Sequence, residues 1–263
     1  MTKGKAAKGN RAGKWTGVLL TIGLLSTTLF AQTPAANRYD DQIQTAVTKK
    51  LASKSQFEGV IARTEGGIVT LSGTVDLYQR KLEAVKLAHK IDKAQGVRNL
   101  IDVAGPVVSD AQLEQKLATK LTYVREGYDS TFDYFALGVK DGVVTVEGAD
   151  RTGVGRDEAM AAIANTPGVK DVIENISLEP VSPYDEGLRL RAARVIYGDP
   201  VLRRYAIDPA RPIRIIVVNG HVTLYGAVDS KMDKEVAGIR ASGLFGAFSV
   251  DNKLEVIGKS SRT

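Results

Sequence analysis

Residues 66–75 read GGIVTLSGTV, residues 141–150 read DGVVTVEGAD, and residues 219–228 read NGHVTLYGAV. One chain writes the same ten-residue phrase three times at intervals of about 75 residues. Superposing Gly67, Gly142 and Gly220 brings Val69, Val144 and Val222 together, then Thr70, Thr145 and Thr223, then Leu71, Val146 and Leu224. Gly73, Gly148 and Gly226 close a phrase of the form G-x-V-T-[LV]-x-G. The valine and the following aliphatic residue share a parity, so both face one side of a strand and the threonine faces the other. Asp141-Gly142 and Asn219-Gly220 are tight-hairpin pairs, because both residues supply positive φ at little cost. Each phrase is a turn followed by a strand, and a strand also precedes each turn: GVIART, FALGVK and IRIIVV.

The likeness extends outward. Before each hairpin lies an amphipathic helix with one apolar stripe: Ile43, Val47 and Leu51, then Leu113, Leu117 and Leu121, then Leu188, Ala192 and Ile196. A step of four residues keeps each stripe on one helical face. Ser109 is the N-cap expected for the second of these helices. After each hairpin comes another helical stretch, then a glycine (Gly96, Gly168, Gly246), then a last strand. Gly73 to Gly96 spans 23 residues, whereas Gly148 to Gly168 and Gly226 to Gly246 each span 20, which predicts a longer helix or turn in the first copy. Asp150 stands where the other copies have Val75 and Val228 and is expected to weaken that strand end.

The fold class is therefore α+β: three tandem αββαβ units, each a small mixed three-stranded sheet with two helices on one face. Expected boundaries are 38–106, 108–179 and 184–258. Units of about 70 residues are marginally stable alone, and the short joins AGPVVSD and EPVSPYD predict that neighbours touch.

The net charge of +6 is unevenly spread. Residues 1–31 hold five basic and no acidic side chains, and residues 32–106 hold 11 basic and 8 acidic. Residues 107–183 hold 7 basic and 13 acidic, and residues 184–263 hold 13 and 9. With the excess at one end, a nucleic-acid partner loses its electrostatic footprint. The absence of cysteine excludes disulfides, thiolate catalysis and lipoprotein anchoring. The basic start, the apolar run WTGVLLTIGLLSTTLFA and the polar QTPAANRYD have the layout of a signal peptide over 1–31, with an uncleaved anchor as the alternative. Either directs the rest of the chain to the periplasm or cell envelope.

The repeated phrase, the glycine before the last strand and the leading amphipathic helix together resemble the BON domain. This is the bacterial OsmY and nodulation module also called transport-associated. The resemblance covers nearly all of residues 38–258; Ala247 departs from it where the family favours Val. It implies αββαβ envelope modules associated with osmotic-stress protection and with binding phospholipid surfaces, without enzymatic activity and without a cofactor.

The chemistry carried by the residues points the same way. His89 and His221 lie in different repeats, and His221 takes the slot of Ile68 and Val143, where a half-buried side chain is expected. TGVGRDE at 152–158 opens a helix, but Glu158 stands where a dinucleotide loop needs its third glycine. Asp129, Asp133 and Asp141 lack calcium-loop spacing, so no metal site is expected. The aromatics of YVREGYDSTFDYF (123–135) read either as a ligand patch or, with more support, as packing of a local core or inter-domain contact.

The third unit concentrates arginine: Arg189, Arg191, Arg194, Arg203, Arg204, Arg211 and Arg214, interleaved with Tyr197 and Tyr205. Arginine forks suit phosphate and tyrosine suits a headgroup interface. An anionic phospholipid membrane surface is the partner this pattern suggests, with Arg189, Arg191, Arg194, Arg203, Arg204, Tyr205, Arg211 and Arg214 as candidate contacts. Pairing of these arginines with the acidic middle unit competes with that reading. A scaffold module holding envelope proteins is the alternative function. Sequencing the N-terminus of the fractionated protein separates the two leader readings: cleavage predicts a mature chain beginning at Gln32.

Overall fold

The computed structural model describes residues 39–124, 131–180, 182–207 and 212–258. The leader and Arg211 lie outside these residues, as do Asp129 and part of the aromatic tract. The first unit contains α1 (Asp40–Ala52), a short 3-10 turn, β1 (Val60–Glu65), β2 (Ile68–Val75), α2 (Tyr78–His89) and β3 (Gly96–Val103). The second contains α3 (Asp110–Val124), β4 (Tyr134–Lys140), β5 (Val143–Asp150), α4 (Val154–Ala164) and β6 (Asp171–Leu178). The third contains α5 (Pro183–Tyr197), α6 (Arg204–Ile207), β7 (Arg214–Val218), β8 (His221–Tyr225), β9 (Ala227–Val228), α7 (Lys231–Ser242), β10 (Ser249–Asn252) and β11 (Glu255–Val256). In each unit the middle strand pairs antiparallel with the strand before it and parallel with the one after, as a mixed three-stranded sheet requires.

Alternation along the middle strands builds the cores. Val69 and Leu71, Val144 and Val146, and Val222 and Leu224 are all buried beneath the helices. The three expected helix stripes, including Ile43, Leu113 and Leu188, are buried against them. Gly73, Gly148 and Gly226 adopt φ of +105°, +153° and +116°. A Cβ at Gly148 would sit 1.8 Å from the Tyr134 carbonyl oxygen, and one at Gly73 2.0 Å from that of Gly59, so the backbone itself fills the space.

A further interaction repeats in all three units. Asp40 Oδ2 and Oδ1 accept from the amides of Gly66 and Gly67 at 2.8 and 2.7 Å. Asp110 accepts from Asp141 and Gly142 at 2.7 and 3.0 Å, and Asp185 accepts from Asn219 and Gly220 at 3.0 and 2.7 Å. One carboxylate in the first helical turn thus clasps the two amides of each hairpin turn. Each aspartate lies three residues before the first member of its apolar stripe. Ser109 Oγ also accepts from the Gln112 amide at 3.4 Å, as a cap on α3.

The register corrects one expectation. Gly96 pairs with Ile68, Asp171 with Val143 and Ser249 with His221, so these three positions are equivalent. Three residues earlier stand Lys93, Gly168 and Gly246, with φ of +65°, +103° and +95°. Lys93, not Gly96, is the counterpart of Gly168 and Gly246, and the first copy carries no three-residue insertion. A left-handed non-glycine residue costs about 1–2 kcal/mol. Its ammonium lies 4.2 Å from the Tyr39 ring centroid and 3.2 Å from Gln42 Oε1, contacts that offset part of this.

Asp150 is also reassigned. It is fully buried, and its carboxylate accepts from the amides of Arg156 at 2.8 Å and Thr152 at 3.3 Å, capping α4. The helix N-terminus opened by TGVGRDE is therefore already filled by a protein carboxylate. The third sheet is interrupted between β10 and β11, where Leu254 turns into the core at 1% exposure.

The units touch as the short joins require. Tyr78 of α2 is buried with the second unit's core, and burial, followed by the charge of Asp171, pushes its pKa up to about 12. Phe132 is buried among the core residues of the third unit. Tyr134 of β4 stacks on Tyr225 of β8, ring centroids 4.0 Å apart, so the outer faces of these two sheets meet. For Phe132 and Tyr134, the aromatic tract supplies inter-domain packing.

Asp185→Asn keeps the shape of the buried clasp but turns one acceptor into a donor aimed at an N–H. It is expected to cost about 2–3 kcal/mol in urea unfolding and to speed hydrogen exchange at Asn219 and Gly220. The same change at half-buried Asp40 is expected to cost about 1 kcal/mol.

Candidate functional site

The arginine-rich stretch of the third unit divides in two. Arg189 points inward from α5 at 2% exposure. Its Nη2 donates to Glu179 Oε2 at 2.7 Å and to the Val217 carbonyl at 2.6 Å, and Nη1 lies 3.4 Å from Glu186 Oε2. Burial raises the Glu179 pKa, and Arg189 only partly counters it. Arg214 Nη1 donates to the Asp133 carbonyl at 3.2 Å, and burial lowers the Arg214 pKa. Both arginines join the third unit to the acidic second one.

Arg204 bonds to Asp233 and lies 3.2 Å from the Tyr205 hydroxyl. Tyr205 is 4% exposed; its hydroxyl donates to Asp233 at 2.7 Å and accepts from the Asp229 amide at 2.8 Å. Arg189, Tyr205 and Arg214 are therefore withdrawn from a membrane surface, and Arg204 is held by α7. The physical reason is common to all: each side chain is engaged with a buried carboxylate or carbonyl of the protein, where burial without partners is costly.

Arg191, Arg194 and Arg203 remain. Arg194 and Arg203 are exposed and Arg191 is half-buried, and none of the three meets a carboxylate among the described residues. Beside Arg191 the structure places residues that the arginine pattern did not reveal. Phe245 is 92% exposed and Phe248 71% exposed, on the turn between α7 and β10. Tyr184 stacks on Phe248 with centroids 6.0 Å apart and donates from its hydroxyl to the Gly246 carbonyl. His221 meets the Phe248 edge, also at 6.0 Å, and its Nδ1 lies 2.7 Å from Ser249 Oγ. It is exposed rather than half-buried, because the outer face of β8 is open at the hairpin tip. A Cβ on Gly246 would lie 3.0 Å from the Tyr184 hydroxyl and 3.3 Å from Arg191 Nη2, which ties the arginine to this aromatic cluster. The turn's equivalents bear Asp92 and Gln95 in the first unit and Pro167 and Lys170 in the second, so the fold does not require phenylalanine there. That comparison between copies is the sequence signal that could have found the cluster.

Among the described residues, no group of three or more histidine or acidic side chains could hold a metal, and no helix is long and apolar enough to cross a membrane. The buried acids are bound structurally. The Val201 amide and the Arg240 guanidinium hold Asp199 below the usual carboxylate range. Burial works against ionisation of Asp233, but bonds from Tyr205, Ser230 and Arg204 hold it low. Depressed acids stabilise above their unfolded pKa, and that contribution is lost as pH falls through their folded pKa. Glu179 has the opposite sign: its ionisation is a cost at neutral pH that is relieved on acidification. Glu179→Ala nevertheless destabilises, because it leaves the buried Arg189 charge only the half-buried Glu186 and a backbone carbonyl as partners. The expected loss is about 3 kcal/mol in chemical denaturation, largely recovered in the double variant Glu179→Leu/Arg189→Met.

The sequence profile of the BON domain matches residues 39–105, 109–180 and 201–258. The third match begins after α5, which nevertheless packs on the third sheet and carries the Asp185 clasp. No curated protein matches. Among solved structures, the chain is similar to CdsD, a structural protein of the type III secretion system of Chlamydia trachomatis. Identity is 11%, over 84% of this chain and 94% of that one, with a TM-score of 0.24. The C-terminal domain of CdsD gives 13% identity over 82% and 96% of the two chains and a TM-score of 0.22. Scores this low bear on neither function nor domain arrangement. The threefold profile match, spread over three αββαβ units, decides the question: the chain belongs to the BON domain family, whose members are non-catalytic binding modules typical of the periplasm and cell envelope.

Proposed function

We propose that this chain binds anionic phospholipid surfaces through its third domain and thereby supports envelope integrity or osmotic-stress tolerance. The observation that carries the reading is the turn that leaves Phe245 and Phe248 uncovered beside Arg191. Full burial of a phenylalanine is worth about 1.5–3 kcal/mol, so two exposed ones on a single turn are a strong apolar probe. Arg191, Arg194 and Arg203, free of acidic partners, would meet lipid phosphates, each basic contact adding about 1 kcal/mol. Tyr184 and His221 would sit at headgroup level.

Phe245→Ser/Phe248→Ser removes the apolar probe while touching little of the core. It is expected to weaken co-sedimentation with anionic vesicles by more than about tenfold. Raising salt should weaken the wild-type protein as well, because the arginine contribution is screened. Equal binding to neutral vesicles, or no loss in the variant, would overturn the reading.

A scaffold role has its own support in the first domain. There the outer sheet face is open, with Ile61 and Leu100 at 61% and 57% exposure aligned in one cross-strand row through Ser72. The corresponding faces of the second and third domains meet each other at the Tyr134–Tyr225 stack. A vesicle-inert protein that captures envelope proteins through this face would favour the scaffold reading.

A further inference from the structure

The first domain carries a cavity of about 280 Å³ where the last turn of α1 and the end of α2 come together. Its walls hold four ammonium groups, from Lys50, Lys54, Lys86 and Lys90, over a floor formed by Phe57 and Leu87. All four lysines are exposed, and none forms an ion pair among the described residues. The one carboxylate in the wall, Glu83, is engaged by amide donors of Gln56 at 2.8 Å and Gln79 at 3.1 Å.

Lys50 and Lys54 stand four residues apart, as do Lys86 and Lys90. Lys86 and Lys90 close α2, whereas Lys50 lies in the last turn of α1 and Lys54 two residues beyond its end, so like charges from two separate segments are brought to one cavity against their mutual repulsion. Lysines near helix C-termini also favour the backbone dipole, which would account for one or two of them. The sister domains show that the fold needs none of the set. Matched through the buried stripes of the helices, the four positions are Lys120, Val124, Ala161 and Asn165 in the second domain. In the third they are Val195, Asp199, Ile239 and Gly243. Lys120 there bonds Thr166, and Asp199 bonds Arg240. Of the three domains, the first alone gathers a net positive charge at this place, four ammonium groups against one carboxylate.

We infer that this cavity is a binding site for a multivalent phosphate anion, separate from the third-domain surface and independent of it. Four point charges on flexible stems suit a compact anion carrying several negative charges, because ammonium groups bind phosphate as point charges without the fixed bidentate geometry of an arginine fork. The room far exceeds the roughly 10–15 Å³ that a single water needs. The same chemistry is offered by a soluble diphosphate and by a phosphomonoester lipid headgroup.

Titration of the full chain with inorganic pyrophosphate in low salt, followed by calorimetry, reads the site directly. Saturable binding is expected, weakened at least about tenfold by Lys86→Gln/Lys90→Gln. The charge-matched control Lys49→Gln/Lys116→Gln, at exposed lysines outside the cavity, is expected to leave it unchanged. A second arm offers phosphatidic acid vesicles to the Phe245→Ser/Phe248→Ser protein. Residual attachment that depends on Lys86 and Lys90 identifies the lipid headgroup as the source, and its absence alongside pyrophosphate binding identifies a soluble anion. If neither probe binds in a way that depends on Lys86 and Lys90, or if the control variant loses as much, the inference is overturned whatever the third domain does.

Discussion

Each domain rests on one carboxylate that reaches from the first turn of the leading helix to the two amides at the tip of its hairpin. The turn is built from residues of positive φ, such as Asn219 at +50° and Gly220 at +78°. That geometry leaves two neighbouring N–H groups pointing the same way, and a bidentate acceptor satisfies both. The clasp also fixes a register. Once Asp40, Asp110 or Asp185 is tied to the turn, the stripe that begins three residues later lies over the valine and leucine of the middle strand. Helix placement, turn geometry and core packing are one constraint.

Three copies of one fold carry three different surfaces. The first gathers lysine around a cavity, the second is acidic, and the third exposes phenylalanine on a turn where its siblings have polar residues or proline. The acidic character of the second domain is partly an internal matter. Glu179 receives Arg189 from the third, so one of the second domain's acids is engaged at the junction, where Arg214 also reaches the backbone carbonyl of Asp133 and Arg151 pairs in the reverse sense with Glu186. A buried pair of this kind contributes little net stability, but it tolerates no loss of one partner. The charge left for outside partners is smaller and more local than composition implies.

Gly96 illustrates how a repeat is misread. It matched Gly168 and Gly246 by residue type, but the strand register makes Lys93 their equal. Glycine is the cheapest left-handed residue, not the only one, and Lys93 has Tyr39 and Gln42 to hold its side chain. The three aspartates were legible in the same pattern, each standing at a fixed distance before its stripe. They were hidden because an acid in a first helical turn is ordinary by itself. Its second role appears only when the turn is brought alongside.

The sequence by itself determined the repeat, the αββαβ order, the inward faces of helices and strands and the absence of thiol chemistry. These depend on periodicity and composition, which are local properties of a chain. Tertiary structure alone decided which arginines are partners of the protein and which are free. Arg189 and Arg194 lie on the same helix, yet one is buried against Glu179 and the other faces solvent. Which face of a helix meets a neighbouring domain is set by packing between units distant in sequence. A charge is cheap in water and costly in a core unless paired, so its meaning changes with that packing.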